Sequence, residues 1–494
     1  MKNFYNKMVA MAILLLALVG PSSGTFAQVN ANRPDWRKLH YTSEAEYIQS
    51  QQYQGNRSFT ETNPPTGNVR FPAEFEKMQA VMVSYNKSGT SWRFAIPTQT
   101  VVSMSQDVNV VVLVPNSTGS NRASILLEDS GANMDNVSFQ IMSLDSYWVR
   151  DYGPWFMFAG TTPGIVDFPY NRPQRPNDDN VPVNVANNMH LALYGMNLMH
   201  TGGNMMQDGK GGAVSTELIL EENPRMTQAQ ICTKMQDYLD INNYMIVNDP
   251  QGEYIKHTDC FSKFLAPDKI MVARVPSNDP QYQAYEEVAS YFANTNCCYG
   301  YLYKVYRVDE LGSSDNAGLS PYTNSLILNN KVYVPLGNNA TYNANAIAAY
   351  EAAMPGYTII GVNSPSSTPW LNTDALHCRT RGVMDFDMLY VDHRNVIYGE
   401  EVEYQNAYAI NADITAYSGA AVTEANLVYR VNDGEWQTVS MTTTTGNTYT
   451  ANITGATYLD EVDYYITATD ANGNAVSINL VLIEQLLCRF EAQI

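Results

Sequence analysis

The sequence predicts an α/β body followed by an all-β sandwich, and a change of texture near Val391 carries that division. Before it, strand-like runs (Ala80 to Tyr85, Val108 to Val114, Lys269 to Val275, Ser325 to Val334) alternate with helix-length segments such as Gln281 to Asn294. That alternation is the pattern of α/β structure. After it come short strands rich in Thr, Tyr and Val, such as Leu427 to Val431 and Glu461 to Ala468. Turns at Asn432-Asp433-Gly434 and Asp470-Ala471-Asn472-Gly473 separate them. Closely spaced turn signals between short strands predict an immunoglobulin-like or fibronectin-like sandwich, a module that spaces, docks or stabilises. No catalysis is assigned to it.

Length and composition fit this division. The 494 residues are 45% apolar and include 34 Tyr, enough to bury a large core, and one catalytic body with one accessory domain is the simplest arrangement. The formal net charge of -20 opposes binding to a phosphate backbone or an anionic membrane surface, so nucleic acid is excluded as a partner. An acidic surface suits cationic substrates.

Lys2 and Lys7 precede an apolar run from Met8 to Val19, and Gly20-Pro21 then leads to Thr25-Phe26-Ala27. This is the layout of a secretory signal. The run is too short for the roughly 20 residues that cross a bilayer as a helix, and no transmembrane segment is expected. The mature chain is expected outside the cytoplasm, secreted or at the cell surface, with the periplasm as the alternative. The predicted divisions are 1–27 signal peptide, 28–43 N-terminal segment, 44–392 catalytic domain, 393–485 sandwich and 486–494 tail. The cysteines at 232, 260, 297, 298, 378 and 488 have no CxxC spacing and there is no HExxH, which argues against structural zinc.

The chemistry concentrates in four short segments. Tyr254-Ile-Lys-His-Thr-Asp259 reads as extended, and a period of two places His257 and Asp259 on one face, where a base and a carboxylate enter one cleft. Asp374-Ala-Leu-His-Cys-Arg-Thr-Arg381 flanks Cys378 with His377, Arg379 and Arg381, and nearby positive charge favours a reactive thiolate. Trp148-Val-Arg-Asp-Tyr-Gly-Pro154 offers Asp151 beside aromatics before a turn. Pro321-Tyr-Thr-Asn-Ser325 sets Asn324 at the start of an apolar strand. Taken singly, each has a bland reading: a solvated polar strand end, an inert buried cysteine, an Arg150–Asp151 ion pair, a strand cap.

Together with Phe71-Pro-Ala-Glu-Phe-Glu-Lys-Met78 and His200-Thr-Gly-Gly-Asn204, these segments resemble the guanidine-modifying hydrolases, or penteins. The resemblance is greatest to the bacterial peptidylarginine deiminases of the Porphyromonas type and more distant to agmatine deiminases. It implies a five-bladed, pseudo-symmetric α/β propeller with an axial active site, followed by the immunoglobulin-like domain. It makes Cys378 the nucleophile, His257 the acid/base, Asp151 and Asp259 the guanidinium-binding carboxylates, and Asn324 a polar residue that orders the site. It also implies no metal and no organic cofactor.

The implied substrate is arginine in peptides or proteins. Tyr170-Asn-Arg-Pro-Gln-Arg-Pro-Asn177 resembles a family loop whose two arginines clamp the carboxylate of a C-terminal arginine. Arg172 and Arg175 match them, with Pro173 and Gln174 between where the family has one residue. Trp148, Tyr254 and Thr373 match positions lining the substrate pocket. The alternatives are a deiminase of agmatine or free arginine and, in another class, a non-catalytic surface binding protein. A cysteine peptidase or transglutaminase would instead need an oxyanion hole for a carbonyl.

Overall fold

Five separate sheets account for the strands between Val69 and Met384, and four of them repeat one order of elements: antiparallel hairpin, helix, parallel strand. The computed structural model describes residues 39–52, 59–88, 90–252, 255–312, 321–394, 405–457, 460–477 and 481–483. The predicted signal peptide, the N-terminal segment before residue 39, the tail, Tyr254 and Cys488 lie outside these. Among the described residues no helix is long and apolar enough to cross a membrane.

In the first sheet Trp155–Ala159 pairs antiparallel with Thr162–Asp167, and Ala192–Gly195 follows parallel to the latter after the helix Val181–Met189. Met206–Gln207, Gly212–Thr216 and Asn243–Val247 repeat this around the helix Gln228–Leu239. The third set is Ser262–Ala266, Lys269–Arg274 and Lys304–Asp309 with the helix Tyr282–Ala293. The fourth is Leu326–Leu328, Lys331–Leu336 and Thr358–Asn363 with the helix Ala340–Ala353. The fifth is assembled from both ends of the body. Arg381–Met384 pairs antiparallel with Met78–Ser88, which is followed by Asn109–Val114 and Val137–Ile141, each parallel to its neighbour.

Local chemistry sets these boundaries. After Asn109, the strand Asn109–Val114 is an unbroken buried apolar run because a parallel strand is covered on both faces. The side chain of Asn339 accepts from the amides of Thr341 and Tyr342 and starts the helix Ala340–Ala353, while Thr227 and Gln230 form a capping box. The run Ser325 to Val334, expected as one strand, is a hairpin. Asn329 takes a positive φ of 54°, a conformation asparagine tolerates better than most residues, and turns the chain.

The C-terminal part is all-β, two antiparallel sheets over a shared core. Leu389–Asp392, Ala407–Ala416, Thr448–Thr454 and Thr442–Thr445 make one sheet. Gln437–Ser440, Val422–Val431, Val462–Asp470 and Ala475–Ser477 make the other. Burial alternates along Ala407–Ala416, and Ile410, Ile414, Leu427, Ile453 and Ile466 meet between the sheets. Asn432 and Asp433 both have positive φ, the geometry of a two-residue hairpin turn. Because Leu389–Asp392 pairs with Ala407–Ala416, the changeover falls just before Leu389. The two parts meet where the Arg70 guanidinium sits 3.7 Å from the Tyr390 ring centre and Phe158 stacks on Tyr417.

Candidate active site

Each of the five sheets is entered through a short turn, and each turn carries site residues. Arg150 and Asp151 precede Trp155–Ala159, Gly202–Asn204 precedes Met206–Gln207, and Thr258–Cys260 precedes Ser262–Ala266. Asn324 precedes Leu326–Leu328, and Cys378 precedes Arg381–Met384. The turns bond to one another in a closed circuit. Gly202 N donates to Asp151 O (2.8 Å), Thr258 Oγ1 to Gly203 O (3.3 Å) and Asn324 Nδ2 to Asp259 O (3.4 Å). His377 N then donates to Asn324 O (3.0 Å) and Arg150 N to Cys378 O (3.1 Å). Cys378, His257, Asp259, Asp151 and Asn324 are thus brought together, all buried.

The Cys378 sulfur has Asn324 Nδ2 at 3.1 Å, Asp259 Oδ2 at 3.6 Å and Thr373 O at 3.9 Å. Asn324 also accepts from the amides of Ala375 and Cys378 through Oδ1, so it fixes the turn and solvates the sulfur. The expectation that the flanking cations favour a thiolate is overturned. His377 lies between Asp259 and Glu74, Arg379 forks onto Asp374 at 2.8 and 2.6 Å, and Arg381 donates to Pro154 O. Burial, then Asp259, Asp151 and Asp374, push the thiol well above its ordinary pKa, against the Asn324 donor.

The segment read as extended is not. Lys256 has a positive φ of 47° and Thr258–Cys260 is a 3₁₀ turn, so a period of two does not apply. His257 and Asp259 still face the same centre, His257 Nδ1 lying 3.7 Å from Asp151 Oδ1 and Asp259 Oδ2 beside the sulfur. Burial opposes the Asp259 charge, but the hydrogen bond and charge of His377, with His257 and Arg150, hold it at about 2. Asp151 is likewise held down, against burial, by His257 and His40. Burial pushes His257 down to about 4, and neither of its ring nitrogens nor Asp151 Oδ1 has a hydrogen-bond partner. Buried polar atoms left unpaired among two charged carboxylates and a thiol mark a site that awaits a ligand.

Sequence reasoning missed three residues. Arg150 does not pair with Asp151; its Nη2 goes to Glu74 Oε2 at 2.7 Å. Glu74 also takes Lys263 Nζ (2.8 Å), Ile327 N (2.9 Å) and His377 Nε2 (2.7 Å), and these cations hold it well below the ordinary carboxylate range against burial. Burial and Arg150 act to lower the His377 pKa, yet each of its nitrogens is 2.7 Å from a carboxylate oxygen. Only the doubly protonated ring donates to both, so we assign His377 as imidazolium. Gly203 is the second. A Cβ there would strike His257 Nδ1 and come within 2.8 Å of Asp151 Oδ1. Its signal was present in the Thr-Gly-Gly-Asn motif.

The third is His40. Its ring stacks on Trp148 at 4.7 Å with an interplanar angle of 1°, donates through Nδ1 to Asp151 Oδ2 (2.9 Å) and reaches Thr373 O with Nε2 (2.5 Å). Arg172 Nη2 donates to Leu39 O at 3.3 Å, and Arg175 donates to His40 O and, through Nε, to Glu46 at 2.6 Å. The extra residue between the two arginines has not separated them: both reach the same stretch of backbone. Tyr254 falls outside the described residues.

A model of the Porphyromonas-type peptidyl-arginine deiminase family matches residues 70–383, more than half of the chain. The chain belongs to this family. It is a deiminase of the pentein superfamily, hydrolases that act on C–N bonds. A Yersinia pseudotuberculosis protein provisionally named agmatine deiminase is 26% identical over 354 residues, 63% of this chain and 94% of its own length. One from Shewanella baltica is 25% identical over 369 residues, 65% and 96%. Among solved structures, a provisionally named arginine deiminase of Porphyromonas gingivalis (18% identity, TM-score 0.56) covers 64% of this chain and 98% of its own. The agmatine deiminase of Enterococcus faecalis (21%, TM-score 0.56) covers 65% and 99%.

In this deiminase, two sets of described side chains stand close enough to share a metal ion, His40 with Asp151 and His257, and His40 with Asp374 and Cys378. Both depend on His40, whose nitrogens are already engaged. None of the five described cysteines is in a disulfide.

The buried histidines give a pH prediction. His257 and His200 are both pushed by burial from 6.5 to about 4. Between these values the unfolded chain binds protons that the folded one refuses, so stability is full above 6.5 and falls as pH drops toward 4. Melting temperature should decline across that window; a flat profile from pH 7 to 4 counts against buried neutral rings.

Proposed function

We propose that this deiminase hydrolyses the guanidinium of peptidyl arginine, preferring a C-terminal arginine, to citrulline and ammonia. The observation that carries the reading is a thiol set against two buried, charged carboxylates and a neutral imidazole. Paired carboxylates suit a planar, permanent cation and do not suit the oxyanion of acyl transfer.

A guanidinium gripped by Asp151 and Asp259 brings the positive charge that the raised thiol lacks. The thiol proton passes to His257 and sulfur adds to the central carbon, giving a neutral tetrahedral adduct. The imidazolium returns the proton to one NH2, ammonia leaves, and an S-alkylthiouronium cation remains. His257 then takes a proton from water as its oxygen adds to the same carbon. Collapse expels the sulfur, the hydroxyl proton restores the thiol, and the proton on His257 departs with ammonia as ammonium.

Support for a peptide comes from the two arginines, which hold the backbone carbonyls of Leu39 and His40 beside the pocket. A C-terminal carboxylate at the His40 carbonyl would meet Arg175 with a full charge. Agmatine, which lacks any such group, is the second reading, favoured by the names of the relatives. The closed circuit of turns and the pairing of Arg381–Met384 with Met78–Ser88 support a five-bladed propeller, and the signal-like N-terminus supports secretion. We read the sandwich as immunoglobulin-like.

Ammonia and the ureido product, citrulline from the peptides and N-carbamoylputrescine from agmatine, should be measured on a peptide ending in arginine, its C-terminal amide, and agmatine. The free acid should exceed the amide in kcat/KM by about 30-fold or more, the loss expected when a buried charge pair is broken. Equal rates for acid and amide would remove the carboxylate role of Arg172 and Arg175. Agmatine as the best substrate would establish the second reading.

A further inference from the structure

Nothing in the family match, which begins at residue 70, assigns a role to residues 39–50. Yet His40 lies at the reaction centre, fully buried, with a ring nitrogen within 4.8 Å of the Cys378 sulfur. It lies flat on Trp148, occupies Asp151 Oδ2 and caps Thr373 O. An imidazole is a planar nitrogen base that carries a cation when protonated, and it stands where a guanidinium would be gripped. Both cannot be accommodated.

The backbone around His40 is handled as a substrate backbone would be, with Arg172 on Leu39 O and Arg175 on His40 O. The segment then leaves the pocket at Tyr41 and turns into the helix Glu44–Gln52. Glu46 ties that helix down, accepting from Thr42 N and Oγ1 at 2.7 Å each and from Arg175 Nε at 2.6 Å. Leu39 and Tyr41 are buried, with Tyr41 packed edge-on against Tyr47, but none of the four core clusters of described residues includes a residue from 39–50, and Ile48 is 41% exposed. A segment outside the core clusters opens at lower cost than the core.

We propose that residues 39–50 are an intramolecular pseudosubstrate: His40 fills the guanidinium pocket, Arg172 and Arg175 hold its carbonyls, and the enzyme is closed until this segment is displaced. The proposal rests on the deiminase reading of the site. Catalysis by the full chain is limited to the open fraction, so apparent substrate affinity falls by that fraction.

The test uses the full chain with His40→Ala and, because removing a buried ring can disturb folding, Glu46→Ala, which loosens the segment from its rim. Two rates are measured for each: alkylation of Cys378 by chloroacetamidine, followed by mass, and citrulline formation. Both should rise by about 10-fold or more over wild type, as expected if the open fraction is a tenth or less. Unchanged alkylation and turnover in both variants would overturn the proposal. Faster alkylation with no citrulline from any protein would keep the closure and sink the peptidyl-arginine reading. As a measurement free of latch variants, amide hydrogen exchange of residues 39–50 should quicken when saturating C-terminal-arginine peptide is added to Cys378→Ala. Unchanged exchange with the peptide bound contradicts displacement.

Discussion

Cys378→Ala is expected to lose guanidine turnover by a factor of about 10⁴ or more while remaining folded, the scale seen when a covalent nucleophile is removed. Cys260 does not stand in for it. Its thiol faces the other oxygen of Asp259 at 3.6 Å and is pushed far above the ordinary range by burial and that carboxylate. What remains in the variant is the proposed carboxylate clamp of Asp151 and Asp259, which is expected to bind a guanidinium without adding anything to its carbon. Retention of more than about a hundredth of wild-type citrulline formation would mean that sulfur is not the nucleophile, since positioning alone does not supply that much of a covalent pathway.

The second large effect is at Gly203, where a single methyl group should cost kcat/KM about 100-fold or more, the order associated with misplacing catalytic groups by an ångström. The added Cβ collides with His257 Nδ1 and crowds Asp151 Oδ1 at 2.8 Å. Neither neighbour has an easy retreat. His257 is locked in the turn entering Ser262–Ala266, and Asp151 in the turn that accepts from Gly202 N. Overpacking a buried site also destabilises by about 1–3 kcal/mol, so a modest drop in melting temperature should accompany the loss. Gly203→Ala with kcat/KM within threefold of wild type would show that the acid/base and clamp tolerate more freedom than the geometry allows. Gly202→Ala is a harsher change, since its Cβ meets the backbone carbonyl of Arg150, and should fail in folding before catalysis.

Residues that chemistry demands at one spot were legible because each sits in a short motif ahead of a strand: Asp151 after Trp148, His257 and Asp259 together, Asn324 before an apolar run, Cys378 after His377. Their ionisation was not. Sequence neighbours suggested that Arg379 and Arg381 activate the thiol, but charge acts through space, and these cations are spent on Asp374 and the Pro154 carbonyl. Glu74 escaped notice for a related reason. A single glutamate in a loop carries no periodicity, and its partners come from residues 150, 263 and 377. His40 was invisible because it belongs to no motif, and its meaning exists only when the segment lies in the pocket. The strands named in the α/β body lie within a few residues of those observed except where Asn329 reverses the chain, a turn that its apolar flanks concealed, and the stretch up to Asp259 read as extended is a turn.

The fifth sheet joins strands from opposite ends of the body, with Arg381 opposite Met82. Cys378 rides on the turn that enters this last strand, so the proposed nucleophile is the last site residue the chain supplies. A nascent chain that has already made Asp151, His257, Asp259 and Asn324 still lacks the Cys378 sulfur, and the Cys260 thiol it holds faces the other side of Asp259. Joining segments some 300 residues apart is a slow, non-local event in folding. The order of synthesis therefore places the Cys378 turn last: its strand pairs with Met78–Ser88 only after the other four sheets have been made.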